Sequence, residues 1–127
     1  MIDHTGVKVS DVKTARAFYD QALAPLGYQV LRVIPPEVNE GRMVLGYGVP
    51  PKPDFWVGEG PVNVPPIHVA FRADNRQAVD AFYQAALAAG GRDNGPPGPR
   101  PHYHANYYGA FVFDPDGHVI EAVFHGG

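Results

Sequence analysis

Hydrophobic and polar residues alternate over residues 2–9, which predicts a strand with one buried and one exposed face. Hydrophobic residues then recur at helical spacing over residues 12–23, and Ser10 or Asp11 is placed to cap this helix. Short hydrophobic runs follow and predict three further strands, at 28–34, 42–48 and 54–59. The first half of the chain is therefore predicted to have the element order β-α-β-β-β.

The second half shows the same order, with a weaker second strand. A strand is predicted over 67–73, and a helix over about 76–89 follows a capping residue, Asp74 or Asn75. Residues 92–104 are rich in proline and glycine, so they predict a loop in which any strand is short or irregular. The last two strands are joined by an Asp-Pro-Asp-Gly turn and cover 106–113 and 118–125.

The two halves are related by a sequence repeat with an offset of 64 positions. Residues 2–27 and 66–91 align without a gap and share eight identities in 26 positions, one of them a histidine. A repeat of half the chain indicates two copies of one supersecondary unit. We therefore expect an α+β fold in which two tandem βαβββ modules, 1–64 and 65–127, form a single domain.

Composition narrows the classes of partner. The formal net charge is −3 and there is no basic stripe, so we expect no nucleic-acid partner and no attraction to anionic membranes. Cysteine is absent, which excludes disulfides and thiolate chemistry. The chain shows neither a signal-peptide pattern nor an apolar run of the roughly 20 residues that a membrane helix needs. The expected location is the cytoplasm, and the expected partner is a small molecule.

Two histidines and one glutamate are the candidate metal ligands. His4 and His68 occupy equivalent positions in the repeat, and imidazole is a good ligand for divalent transition metals. Glu121 lies in an apolar run, where an unpaired carboxylate is costly and requires a cation or a proton. If the modules pack about a pseudo-twofold axis, the two imidazoles face each other across a cleft. The alternative for each residue alone is a structural role, as a hydrogen-bonded histidine or an edge-strand glutamate.

Four segments carry a family resemblance: Ile2-Asp3-His4, Ala17-Phe18-Tyr19, His68-Val69-Ala70-Phe71 and the run from Phe113 to Glu121. With them the chain resembles the vicinal oxygen chelate superfamily of glyoxalases, bleomycin- and fosfomycin-resistance proteins and extradiol dioxygenases. The resemblance covers almost the whole chain and is most specific where the Asp-Pro-Asp-Gly turn leads to Glu121. It implies an open, eight-stranded, cup-like mixed sheet around a metal ion, with His4, His68 and Glu121 as ligands.

The chain departs from the family pattern at the fourth ligand position. At the offset of 64, Val57 is the repeat counterpart of Glu121, and valine cannot coordinate a metal. Glu59 lies two residues further on and would be a ligand only through a bulge or a slipped register. Two histidines and one carboxylate are the ligand set of non-haem Fe(II) oxygenases, so Fe(II) is favoured, with Mn, Zn and Ni as alternatives.

Tyr108 and His104 are candidate acid–base or substrate-orienting groups. If the turn places Phe113 opposite His118, then Tyr108 faces the cup together with Glu121. His104 lies an even number of residues before Tyr108 and is therefore expected on the same face. The alternative is a surface tyrosine and a solvated loop histidine.

Lys8 and Arg72 form a second repeat-related pair, on the same face as the two histidines. They are expected either to hold an anionic group of the substrate or to be solvated strand ends. Trp56 aligns with Ile120 at the offset of 64 and is therefore predicted to lie in the core.

The resemblance implies a metal-dependent enzyme that acts on a small oxygen-chelating substrate, as a glyoxalase-like lyase or isomerase or as an extradiol-type dioxygenase. The alternative is a metal-free binding protein that sequesters an aromatic drug, as bleomycin-resistance proteins do. The resemblance also implies a homodimer, in which His4 and His68 serve one metal either from the same chain or from different chains.

Overall fold

The computed structural model describes residues 1–126 and confirms the predicted α+β fold. Two α-helices and nine strands follow one another along residues 1–126, and the long elements lie close to their predicted bounds, although the first strand begins only at Thr5. They are β1 Thr5–Val9, α1 Val12–Ala22, β2 Gln29–Ile34, β3 Val44–Gly48, β4 Phe55–Glu59, β5 His68–Arg72, α2 Arg76–Ala88, β6 Arg92–Asp93, β7 Gly98–Pro99, β8 Tyr107–Phe113 and β9 Val119–His125.

The strands form two mixed sheets. The first sheet has the order β1-β4-β3-β2, and the second has the order β5-β9-β8-β6, with β7 paired to β8. In each sheet the first and last long strands, β1 with β4 and β5 with β9, run parallel, and the other pairs run antiparallel. The second strand of the second sheet is short, as predicted. The proline-rich segment is not wholly a loop, because Gly98 and Pro99 pair with β8.

Both helices begin at side-chain caps. Asp11 accepts hydrogen bonds from the backbone N–H groups of Lys13 and Thr14, and Asn75 accepts one from that of Ala78. These bonds satisfy helix N–H groups that have no intrahelical partner. Within the described residues, neither helix is long and apolar enough to cross a membrane.

One hydrophobic core joins the two halves. The buried residues of the first half, such as Val7 and Phe18, belong to the same cluster as Phe71 and Phe82 of the second half. The alternation predicted for β1 is confirmed, because Val7 and Val9 are buried and Lys8 between them is exposed. The two sheets therefore keep their other faces free for a site.

The turn between β8 and β9 fixes the second half to the first. The carboxylate of Asp114 is fully buried and accepts a hydrogen bond of 2.5 Å from the Tyr19 hydroxyl of α1. The hydroxyl of Ser10 donates to Asp116 at 2.6 Å. The Asp-Pro-Asp-Gly motif therefore holds the halves together through both of its carboxylates.

His118 follows the same turn and makes a second link. Its Nδ1 accepts a hydrogen bond from the backbone N–H of Ile67 at 2.9 Å, so Nε2 carries the proton and donates to the carbonyl of Lys8. The buried imidazole is thus fully hydrogen-bonded and bridges β1 to the start of β5.

Candidate metal centre

The second sheet brings two of the three predicted ligands together. Ala70 of β5 pairs with Glu121 of β9, so Glu121 lies on the same face as His68. His68 Nε2 lies 2.9 Å from Glu121 Oε1. The carboxylate is nearly inaccessible, with 2 % of Glu121 exposed, whereas half of the imidazole is open to solvent. This histidine–carboxylate pair is the candidate metal-binding group of the second sheet.

The second oxygen of the same carboxylate is held by Tyr107. The Tyr107 hydroxyl donates a short hydrogen bond to Glu121 Oε2. Burial, together with this bond to a carboxylate, raises the pKa of Tyr107 well above its usual value near 10. The phenol therefore stays protonated at neutral pH and acts as a hydrogen-bond donor to Glu121.

The prediction that Tyr108 faces the cup is wrong. Phe111 of β8, not Ala110, pairs with Glu121, so the odd-numbered residues of β8 share the ligand face. Tyr108 lies on the helix face, where its hydroxyl donates to Asp80 of α2 at 2.7 Å. A shift of one residue in strand pairing moves every side chain to the opposite face.

The shape of the turn explains this shift. Phe113 pairs with Val119 instead of His118, because Asp114 and His118 close the loop by an N–H to carbonyl bond of 2.9 Å. Asp114 Oδ1 also accepts the N–H of His118, and Gly117 adopts a positive φ of 93°. Three residues in the loop, the last in the left-handed region, are a common hairpin connection.

His104 does not contact Glu121. Its Nδ1 accepts the backbone N–H of Asn106, and its Nε2 lies 2.7 Å from His125 Nδ1. Both imidazoles lie with their centroids 5.3 Å from the Tyr107 ring. His104 is therefore a neighbour of the site through Tyr107, and its catalytic role remains a prediction.

His4 is not brought to the pair within one chain. Its Nδ1 lies 2.8 Å from Asp3 Oδ1, and Asp3 is also bound by the Lys52 ammonium group at 2.6 Å. Among residues 1–126, no group of three His, Cys, Asp or Glu side chains could hold a metal ion. His4 and His68 do border one cavity of about 400 Å³, which also adjoins Asp54 and Arg72.

The counterpart of Glu121 in the first sheet is Trp56. Gly6 pairs with Trp56, just as Ala70, its repeat mate, pairs with Glu121. Structurally equivalent residues of the two halves are therefore 64 positions apart in β1 and β5 and 65 positions apart in β4 and β9. Trp56 is half-buried and borders a second cavity, of about 570 Å³, so the prediction that it lies in the core is wrong.

The same register corrects two further predictions. Val57 pairs with Val7 and is fully buried on the helix face, so it does not occupy the fourth ligand position. Glu59 pairs with Val9 and its Oε2 faces the backbone N–H of Val12 at 3.5 Å, so it too points away from the ligand face. Tryptophan cannot coordinate a metal. The fourth ligand position is therefore occupied by a residue that is not a ligand, as predicted, but this residue is Trp56 and not Val57.

Lys8 and Arg72 are both exposed at equivalent places on the two sheets, and neither forms an ion pair with another described residue. Tyr107 and Trp56 lie on the ligand face although the sequence did not predict them there. Only the strand register carries the signal for them, because each differs by one position from the residue that the repeat or the turn suggested.

The chain belongs to the glyoxalase/bleomycin resistance protein/dioxygenase superfamily, whose family model matches residues 1–122. No curated protein sequence matches the chain. A glyoxalase/bleomycin resistance protein from Albidiferax ferrireducens T118 is similar in structure, with 27% identity, a TM-score of 0.70 and 96% of each chain covered.

Two further solved structures share the fold. A glutamate-to-glutamine mutant of glyoxalase I from Zea mays has 22% identity and a TM-score of 0.72, over 96% of this chain and 46% of that one. A glutamate-to-glutamine mutant of the fosfomycin resistance protein FosX from Listeria monocytogenes, complexed with Mn(II) and 1S,2S-dihydroxypropylphosphonic acid, has 17% identity and a TM-score of 0.70, over 100% and 93%. Membership of a family that contains metal-dependent enzymes is thus established, and the specific activity is a separate question.

Proposed function

We propose that the protein is a divalent-metal-dependent enzyme that acts on a small oxygen-chelating substrate. We further propose that it works as a homodimer. Each site would combine His68 and Glu121 of one subunit with His4 of the partner subunit. The observation that carries the proposal is the buried Glu121 carboxylate with an imidazole nitrogen 2.9 Å away.

The donor set fits a metal ion. His68 Nε2 and Glu121 Oε1 lie 2.9 Å apart, and an imidazole nitrogen and a carboxylate oxygen are donor types that would hold a divalent ion. A buried carboxylate also requires a positive charge nearby, and the imidazole is partly open to a further ligand. Fe(II) is the favoured ion for two histidines and a carboxylate, with Mn, Zn and Ni as alternatives.

When bound, the metal would supply Lewis-acid stabilisation to oxygens of a chelating substrate. Tyr107 would orient Glu121 through its hydrogen bond to Oε2 and leave Oε1 for the ion. Because its pKa is raised, Tyr107 is a donor and not a base at neutral pH. An exposed group such as His104 would be available for proton transfer in a lyase or isomerase reaction.

A subunit-mixing experiment tests both the ligands and their sharing. His4→Ala and Glu121→Ala subunits are each expected to bind no metal at this site. After co-refolding, half of the dimers are mixed and one of their two sites is intact. About a quarter of the wild-type metal content should therefore return. No recovery in mixed dimers would place all ligands in one chain. Metal binding by each single variant at the wild-type level would refute the ligand set.

Two assays then separate the candidate reactions. Oxygen uptake by the Fe(II)-loaded protein with a catechol series would identify a dioxygenase. Metal-dependent conversion without oxygen uptake would identify a lyase or isomerase. Tight binding of an aromatic drug by protein that takes up no divalent metal would favour the sequestering alternative.

A further inference from the structure

We propose that the free face of the first sheet binds a planar aromatic anion, with Trp56 as the stacking surface and Lys8 and Arg42 as the cations that hold the anionic group. The cavity of about 570 Å³ on this face is bordered by Trp56, Lys8, Ile34, Val44, Asn63 and His4. Its size suits a small molecule. Identifying this ligand as the substrate rests on the proposed function, whereas the binding itself does not.

The indole of Trp56 is held in place by a glycine. A Cβ atom at Gly46 would lie 2.7 Å from Cζ3 and 2.9 Å from Cη2 of Trp56, so the six-membered ring rests directly on the backbone of β3. Any side chain at position 46 would displace the ring. Trp56 is half-buried and borders the cavity, so part of the ring remains available to a ligand. Tryptophan offers a large rigid surface on which another aromatic ring can stack.

Two cations lie near one end of this surface: Lys8 borders the cavity, and Arg42 lies next to Lys8, beyond the residues that border it. The Lys8 side chain runs over Gly58, where a Cβ atom would lie 3.1 Å from its Nζ. A Cβ atom at Gly60 would lie 3.7 Å from Lys8 Cδ and 3.5 Å from an Arg42 guanidinium nitrogen, so the two side chains are neighbours. Neither cation forms an ion pair with another of the residues 1–126. Adjacent like charges repel each other, and a bound anion would relieve that repulsion.

An amide completes the polar end of the cavity. Asn63 Oδ1 accepts the backbone N–H of Lys8 at 2.8 Å, which fixes the amide and leaves its NH₂ group as a donor. The only carboxylate of β4 is that of Glu59, which faces the N–H of Val12 on the opposite side of the sheet. The cavity therefore offers the Lys8 ammonium group, with Arg42 beside it, and an N–H donor next to an aromatic and aliphatic floor, which is the chemistry that recognises an aromatic carboxylate.

The protein contains a single tryptophan, so its tryptophan emission, excited selectively over that of the tyrosines, reports on this site alone. Metal-free protein at low ionic strength is titrated with benzoate, benzamide and acetate. Benzoate should quench the Trp56 emission and bind several-fold more tightly than benzamide, which lacks the charge, and than acetate, which lacks the ring. Equal affinity for benzoate and benzamide, or for benzoate and acetate, would refute the proposed ligand class.

Charge variants locate the anion. Lys8→Gln and Arg42→Gln should each weaken benzoate binding about threefold to tenfold and leave benzamide unaffected. Lys13→Gln is the matched control, because it removes the same charge from the exposed side of α1. If all three variants lower benzoate affinity equally, only the net charge matters and the proposed site is wrong.

Gly46→Ala tests the stacking surface. The added methyl group must displace the indole, so the emission maximum should shift and benzoate affinity should fall. Trp56→Phe keeps an aromatic ring at this place. Its benzoate binding, measured by calorimetry, should be largely retained. Normal binding by folded Gly46→Ala protein would contradict the role of Trp56. Benzoate binding together with failed metal uptake would refute the proposed enzyme but not this site, and metal uptake without benzoate binding would do the reverse.

Discussion

The two sheets carry different chemistry at equivalent positions. In the first sheet Gly6 pairs with Trp56, which shares its cavity with the Lys8 cation and the Asn63 amide. In the second sheet Ala70 pairs with Glu121, whose buried carboxylate lies beside an imidazole. A duplicated scaffold has thus produced one aromatic, cationic surface and one carboxylate–histidine pair. The comparison teaches that the repeat preserves the positions of side chains and not their chemical roles.

The length of the connection between the paired strands also differs. Fifty positions separate Gly6 from Trp56 (56 − 6), and 51 separate Ala70 from Glu121 (121 − 70). One additional residue in the second half is enough to move the structural offset from 64 to 65. Because side chains alternate along a strand, this single residue makes Trp56 on the ligand face, and not Val57 on the helix face, the counterpart of Glu121.

The largest expected effect separates the two sheets by their affinity for metal. Glu121→Ala should lower the affinity for a divalent ion by more than about a hundredfold, because even residues that only orient ligands typically contribute 10–100-fold. Trp56→Ala at the equivalent position should leave metal affinity nearly unchanged. Calorimetric titration with Mn²⁺ or Zn²⁺ measures the metal affinity of both variants. An equal loss of affinity in the two would show that the sheets do not differ in metal binding.

A second prediction tests the offset of 65 through stability. Val57→Glu buries a carboxylate without a partner and should destabilise the protein by about 3–5 kcal/mol. Trp56→Glu places the same group on the accessible face and should cost far less. Urea unfolding of the two variants measures the difference. If Val57→Glu is the better tolerated, Val57 and not Trp56 is the counterpart of Glu121.

A smaller effect compares the repeat-related tyrosines of the two helices. Tyr19 is fully buried and donates to the buried Asp114 carboxylate, whereas the exposed hydroxyl of Tyr83 donates to Asp93. Tyr19→Phe leaves Asp114 short of a donor and should cost about 1–3 kcal/mol in the free energy of unfolding. Tyr83→Phe should produce no measurable change under the same denaturation conditions. Similar losses would show that the junction between the halves does not depend on this bond.

The smallest expected effect appears in alkali. Burial, followed by a hydrogen bond to Asp54, raises the pKa of Tyr28 to about 12, and burial with a bond to Asp20 raises that of Tyr47 further. In the unfolded chain both phenols ionise near pH 10. Above that pH the unfolded state binds fewer protons than the folded state, so the stability contributed by these two phenols should be constant below pH 10 and fall as pH rises towards 12.

Unfolding curves at several pH values, with Tyr47→Phe and Tyr83→Phe compared, would measure this effect. Tyr47→Phe should flatten the alkaline decline, and Tyr83→Phe should do so far less, because the Tyr83 hydroxyl is exposed and the pKa of Tyr83 is raised less than that of Tyr47. A decline of the same steepness in Tyr47→Phe would assign it to other groups.

Much of the fold could be predicted because its causes are local. The alternation in β1 and the helical spacing of α1 follow from hydrophobic periodicity, and the chemistry of two adjacent polar residues at each helix start predicts a cap there, although only the structure selects Asp11 and Asn75. The candidate ligands His68 and Glu121 were found because a repeat and a buried carboxylate are both visible in one dimension. The structure brings their side chains to within 2.9 Å, and the role of both residues and of His4 as metal ligands remains a prediction.

The predictions that failed all concern strand register. Tyr108 and Tyr107 are adjacent and chemically identical, and only the loop closed by Asp114 and His118 decides which of them meets Glu121. Pairing across a sheet is a long-range property, and a turn with one residue more or fewer reverses it.

The sequence by itself therefore determined the elements, the duplicated plan and the residues with metal-binding chemistry, because propensity, periodicity and side-chain chemistry are local. The tertiary structure alone decided which residues share a face: Trp56 instead of Val57, and Tyr107 instead of Tyr108. It did so because the buried turn at Asp114 and the packing of both helices on one core select a single register from two that the sequence permits equally.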